Sequence, residues 1–171
     1  MGMLVGYIGS ICALACCGFD KTVPINYVFL CIFTFCTGWI VSISTLHVKP
    51  IIVLEAACLT LAMVFAITLY AMTTTTDFTV FGPLLWIFGM VFGVAGIFLS
   101  MFGFTKGLLW STIGVVLFSF YLLYDTQMIM GGDNKSVQYD EDCYILAAIN
   151  LYLDIINIFL YILNILGDMD R

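Results

Sequence analysis

Charge is what this sequence has least of. Lysine and arginine together number five, there is a single histidine, and charged residues make up 9% of the 171 positions, against about 25% in a soluble domain. So sparse a set cannot cover a surface in water. With 63% of residues hydrophobic, the solvent for most of the chain is lipid. Long polar stretches are missing too, which leaves no material for a separate soluble domain. The expectation is one transmembrane domain over 1–171. No basic or Arg-rich leader opens the chain, which argues against a secretory signal or a transit peptide. The net charge of −6 gives no footing for a nucleic-acid partner. The lone His47 has no adjacent metal ligand and no CxxC occurs, so zinc is not expected. No GxSxG is present, so a serine hydrolase is not expected either.

Seven cysteines are present, an odd number; six lie in the interior of apolar runs, where free thiols behave as small hydrophobes, and Cys143 at the edge of one. No disulfide framework is read from them. Cys16-Cys17, near a membrane edge, is a minor candidate for acylation.

Six apolar runs are there instead, at about 1–19, 25–46, 51–72, 80–104, 108–130 and 143–166. Each is close to the roughly 20 residues that cross the hydrocarbon core. Backbone groups cannot stay unpaired in lipid, and runs without two-residue alternation favour helices over a barrel. The fold class is therefore an all-α integral membrane protein, a six-helix bundle. Pro24 and Pro50 stand at starts of runs, while Gly131-Gly132 and Gly167 read as stops. Gly89 and Gly93 are spaced for close helix approach, with Gly96 beyond; membrane-helix composition alone explains them equally well. Lys49, Lys106 and Arg171 fall on one side and Lys21 and Lys135 on the other, which weakly directs both termini to the cytoplasm or matrix. The acidic cluster Asp133, Asp140, Glu141 and Asp142 is read as a solvated loop, with cation enrichment at a pore mouth as the alternative. The organelle, whether ER, Golgi or mitochondrial inner membrane, is not encoded.

Three acids fall inside the runs: Glu55, Asp125 and Asp154. An ionised Asp at a helix centre costs about 2.5–3.5 kcal/mol on insertion scales. No Lys or Arg lies within any run to offset it. Such acids are protonated, hydrated in a cavity, or bound to a cation. Asn150, Asp154, Asn157, Tyr161 and Asn164 share one face of the last run, a polar stripe on an apolar cylinder. Interhelical hydrogen bonding explains the amides, at roughly 0.6 kcal/mol each. It explains the carboxyl less well. Asp125, with Thr126 and Gln127 beside it, stands about a turn and a half before the Gly-Gly stop of the preceding run. A short loop makes these two helices antiparallel neighbours, but as drawn the carboxyls miss each other by about 8 Å along the axis. If they touch, they cannot both ionise, and the protons belong to the pair. Sharing a proton latches the helices; losing it frees oxygen ligands for a hard cation such as Ca²⁺. Glu55 is a candidate third ligand, although snorkelling to the interface fits it better. No resident cofactor is expected, Ca²⁺ entering as transported or bound ion.

The segment "YDTQMIMGG" followed by "CYILAAINLYLDIINIFLYILNILG" closely resembles the end of the transmembrane Bax inhibitor motif family, the lifeguard group especially. "VPINYVFLCIFTFCTGWIV" and "VLEAACLTLAMVFAITLYAMTTTTDFTVFGP" resemble its middle, so the likeness runs from about Pro24 to Gly167. The resemblance implies a bundle with the last helix (about 143–166) central and ringed by the others. It also implies a pH-sensitive Ca²⁺ leak with Asp125 and Asp154 as sensor, and suppression of cell death through organelle Ca²⁺. The family has seven hydrophobic segments, and this sequence starts near the second. Bacterial relatives place an arginine on that helix against the aspartate of the DTQ stretch, and no basic residue stands there in this sequence. The expectation is a bundle without its first helix. That motivates the alternative to a leak, a non-conducting accessory subunit of a larger membrane complex docked where that helix would be. An intramembrane aspartyl protease is a distant third reading, since Asp154 follows Leu-Tyr-Leu rather than a Gly-rich approach. The protein is expected not to be an enzyme.

Overall fold

The computed structural model describes residues 2–16, 21–102, 107–132 and 135–170. Asp133, Lys106, Arg171 and Cys17, which entered the sequence reading, lie outside the described residues. Among the described residues six helices follow one another: α1 (Gly2–Cys16), α2 (Ile25–Thr45), α3 (Pro50–Thr73), α4 (Gly82–Met101), α5 (Leu108–Met130) and α6 (Tyr144–Met169). Short 3₁₀ turns at Thr79–Phe81 and Glu141–Cys143 lead into α4 and α6. No strand occurs among the described residues. Helices α2 to α6 are long and apolar enough to cross a bilayer.

Local chemistry sets the boundaries. Pro50 opens α3 at its first helical position, where a missing N–H costs nothing. Gly131 closes α5 at φ +59°, a conformation that side-chain-bearing residues rarely adopt, and its N–H still reaches Gln127 O at 3.1 Å. Gly167, expected to stop the last helix, does not: α6 runs through it to Met169. A single interior glycine costs about 1 kcal/mol, which the packing of α6 outweighs. Hydroxyls inside the bundle return their protons to the preceding turn, as Thr37 does to Phe33 O at 2.8 Å and Thr60 to Ala56 O at 2.7 Å, whereas the buried Ser111 hydroxyl has no such partner.

The bundle closes around α6. Ile158, Ile162 and Leu163 pack with Ile52 and Ala56 of α3 and Leu122 of α5. One end of the helix, through Ile145 and Ile149, packs with Leu14 of α1 and Phe33 of α2. On α4, Phe92 meets Tyr161 edge-on. The last helix thus touches every other helix, as a central element must. Leu61, Phe65, Ile97 and Phe98 point outward and are exposed, as expected of a lipid-facing surface.

The glycines of α4 serve less uniformly than their spacing suggests. Gly89 accommodates Tyr121 of α5 and Gly96 accommodates Trp110, while a Cβ at Gly93 would meet nothing within 4 Å. The close approach is between helix backbone and aromatic side chains. The cysteines Cys12, Cys31 and Cys58 are exposed and Cys36 is buried, all as free thiols.

The α3–α4 and α5–α6 loops lie at one end of the bundle, joined by Asp77 and Ser136. At the opposite end Lys49, before α3, pairs with Asp170, after α6, at 2.6 Å. Both partners are largely exposed, so the pair contributes little.

Candidate functional site

Asp125 lies five residues before the end of α5, and Asp154 ten residues after the start of α6. The two nevertheless meet, their carboxyl groups in hydrogen-bond contact. The helices achieve this by ending at different depths. The N-terminal turns of α6 project past the end of α5 by about 7.5 Å, five residues at 1.5 Å each. The intervening loop then folds back on α5, with Tyr139 N donating to Met128 O at 3.2 Å.

Both acids are buried, Asp125 at 5% and Asp154 at 4% exposure. Asp154 Oδ2 has no hydrogen-bond partner of its own. The pair lines a cavity of about 400 Å³ bounded by all the nearby elements: Tyr7 of α1, Leu85 of α4, Tyr121 and Tyr124 of α5, Tyr139 of the loop, and Asn150 and Asn157 of α6. Among the described residues no Lys, Arg or His lines it.

Tyr139 closes the loop side of this cavity. Its hydroxyl accepts from Asn150 Nδ2 at 2.7 Å. Burial pushes its phenol up to about 12, with the negative charge of Asp125 adding to the effect. It is a neutral hydroxyl throughout the ordinary pH range. Across the cavity, Tyr121 Oη donates to Leu85 O at 2.6 Å and ties α5 to α4.

The loop is itself held. Asp77 Oδ1 accepts from Thr79 N (2.9 Å) and Thr79 Oγ1 (2.6 Å). Its Oδ2 accepts from Ser136 N (2.9 Å) and Ser136 Oγ (2.7 Å). Val137 N donates to Thr79 Oγ1 at 3.1 Å. The hydroxyls of Thr79 and Ser136 hold the Asp77 carboxyl well below the usual carboxylate range. Sequence reasoning passed over these residues; the Asp-x-Thr of "TTTTDFT", a side chain that caps its own turn, was the available signal.

Of the expected site residues, Asp125, Asp154, Asn150 and Asn157 come together at the cavity. Gln127 does not join them. It is fully buried on another side of α5, where Phe78 N donates to its Oε1 at 2.8 Å and its Nε2 donates to Thr76 O at 3.0 Å. Two residues along a helix turn the side chain by about 200°, so Gln127 clamps the α3–α4 loop instead. Tyr161 stacks on Phe118 at 5.8 Å, and Asn164, exposed, lines a second cavity further along α6. Glu55 is exposed on α3 and does not line the carboxyl cavity. No group of three acid, thiol or imidazole side chains capable of holding a metal occurs among the described residues.

Comparison with known proteins adds a family. Residues 1–171 match the Bax1-I family, described as inhibitor of apoptosis-promoting Bax1. Protein LIFEGUARD 1 of Arabidopsis thaliana is 39% identical over 158 residues, which cover 88% of this chain and 63% of that protein. An uncharacterized protein of Campylobacter jejuni is 37% identical over 153 residues, 85% of this chain and 63% of its own length. Protein lifeguard 3 of Homo sapiens is 30% identical over 162 residues, 91% of this chain and 51% of that protein. The chain therefore spans from about half to under two thirds of the length of these relatives.

Proposed function

This chain belongs to the Bax1-I family of multi-pass membrane proteins, and from that premise we propose that it is a proton-regulated leak for Ca²⁺, gated by Asp125 and Asp154. One observation carries the reading: two buried carboxyls from neighbouring helices touch in a cavity that no basic side chain among the described residues lines. Neither packing nor interhelical hydrogen bonding needs acids there, since amides would serve at lower cost.

The mechanism follows from charge. A proton shared between the carboxyls holds α5 to α6 and fills the oxygen sites that a cation would use. When the proton leaves, two adjacent negative charges repel, the helices part, and the oxygens become ligands. Asp154 Oδ2, already without a partner, is the first of them. Ca²⁺ takes six to eight oxygens at flexible geometry. The pair, the Asn150 and Asn157 amides and accompanying water can supply a loose set. A site with only two acids suits transit, because a conducted ion must bind weakly enough to leave. The groups facing the pair from α1, α4, α5 and the loop are Tyr7, Leu85, Tyr121, Tyr124 and Tyr139. None titrates near neutrality in ordinary surroundings, so the pH response belongs to the carboxyls. The reading is one of transport, with no catalytic step. The suppression of cell death carried by the family description would follow from a lowered organelle Ca²⁺ store.

Reconstitution into vesicles tests this. Ca²⁺ efflux should rise as the pH is raised through the titration of the pair, and Asp154→Asn should flatten that dependence. Absence of flux in the unaltered chain, or an unchanged pH profile in the variant, would end the proposal.

A further inference from the structure

The polar face of α6 does not stop at the carboxyl pair. Asn157, Tyr161 and Asn164 continue it, and they line a second cavity of about 590 Å³ between α4, α5 and α6. On the α4 side its wall includes Gly89, Gly93 and Gly96, which carry no side chains to fill it. A water molecule occupies about 30 Å³ in the liquid. A space of this size has room for several, and Asn157, Tyr161 and Asn164 offer amide and hydroxyl partners at its wall.

The two cavities share two residues, Phe118 and Asn157. Phe118, the ring common to both walls, belongs to a set of rings. Phe118 lies 5.8 Å from Tyr161 with 27° between planes, and 5.8 Å from Tyr121. Phe92 meets Tyr161 at 5.9 Å edge-on and stacks on Trp110 at 4.1 Å. Tyr161 is held flat against the backbone of α5, because a Cβ on Gly114 would sit 2.7–2.8 Å from its ring. The polar stripe thus passes two cavities, and Phe118, a wall common to both, stands between them with Tyr161 stacked on it. Apolar constrictions of this kind block ions by excluding water.

We propose that the Phe118–Tyr161 stack is the hydrophobic gate of the path, and that the second cavity is the vestibule through which a hydrated cation leaves the carboxyl site. This rests on the leak reading above. Phe118 sets the conductance, while the carboxyl pair sets its pH dependence.

Two readouts test it in oriented vesicles. In Ca²⁺ flux, Phe118→Ala should raise the rate about tenfold, equivalent to ~1.4 kcal/mol off the barrier, with the midpoint pH unchanged. Phe118→Leu, which keeps the core filled, should fall between. A rate equal to or below that of the unaltered chain in both variants overturns the gate. The second readout does not need flux. With Asn150→Cys, a charged, membrane-impermeant thiol reagent is added from the side nearer Asn164, and labelling is read from the mass of the peptide carrying position 150. Labelling should be blocked with Phe118 present and appear with Phe118→Ala. Labelling equal in the two backgrounds overturns the partition. If the unaltered chain carries no Ca²⁺ yet labelling still depends on Phe118, the leak reading falls and the partition stands.

Discussion

Placing one methyl group on Gly114 tests how rigidly the rings beside the site are held. The added carbon would lie 2.7, 2.7 and 2.8 Å from three ring atoms of Tyr161, about 1 Å inside ordinary carbon contact. Tyr161 cannot swing aside cheaply, since Phe118 stacks on it and Phe92 abuts it edge-on. Overpacking costs roughly 1–3 kcal/mol, and a disrupted aromatic pair about 0.5–1.5 kcal/mol. Alanine returns about 1 kcal/mol of helix propensity. The net expectation is destabilisation by about 1–3 kcal/mol, read as a shifted midpoint in denaturant unfolding in mixed micelles followed by helical circular dichroism. Gly93→Ala is the control: its Cβ meets nothing within 4 Å, so it should be neutral or slightly stabilising. In the Tyr161→Ala background the Gly114→Ala penalty should vanish. A Gly114→Ala as mild as Gly93→Ala, or a penalty that survives removal of the ring, refutes the reasoning.

Gln127→Ala removes hydrogen bonds to Phe78 N and Thr76 O from a fully buried position; unfolding should ease by about 2–3 kcal/mol, with faster amide exchange at Phe78. Asp77→Asn should speed amide exchange at Thr79 and Ser136, the two N–H groups its carboxylate accepts from. Because the folded Asp77 carboxyl is held below its usual range, its contribution is complete above about pH 4. It is lost only as the pH falls through the depressed value, so the protection factors of these amides, with the base-catalysed intrinsic rate divided out, should stay flat from pH 7 to 5. Lys49→Met removes an ion pair whose lysine is 66% exposed; stability should change by less than about 0.5 kcal/mol.

The membrane helices were readable because each is a run of about 20 apolar residues bounded by Pro, Gly or charge. The cavity-lining side of α6 was readable in part, from Asn150, Asp154 and Asn157 at helical spacing, whereas Asn164 at the far end of that stripe is exposed. The meeting of Asp125 and Asp154 was not, because it depends on α6 overshooting α5 and on a loop folding back through Tyr139. Helix periodicity carries no information about relative depth. Asp77, Thr79 and Ser136 sit in loops, where no period marks a residue as structural. Gly114 was invisible for a different reason: its partner is a ring on another helix, and no spacing within α5 reveals it. Gln127 was misassigned by nearness in sequence, although its angle on the helix already separated it from Asp125.

The central claim is that one proton, held between Asp125 and Asp154, controls the path. Infrared spectroscopy of the protein with ¹³C-carboxyl aspartate, recorded on the same vesicles used for Ca²⁺ flux, measures it directly. The protonated-carboxyl band of the pair should disappear over the pH interval in which flux rises, and both changes should be absent in Asp154→Asn. A band that titrates independently of flux, or flux that keeps its pH dependence in the variant, would contradict it.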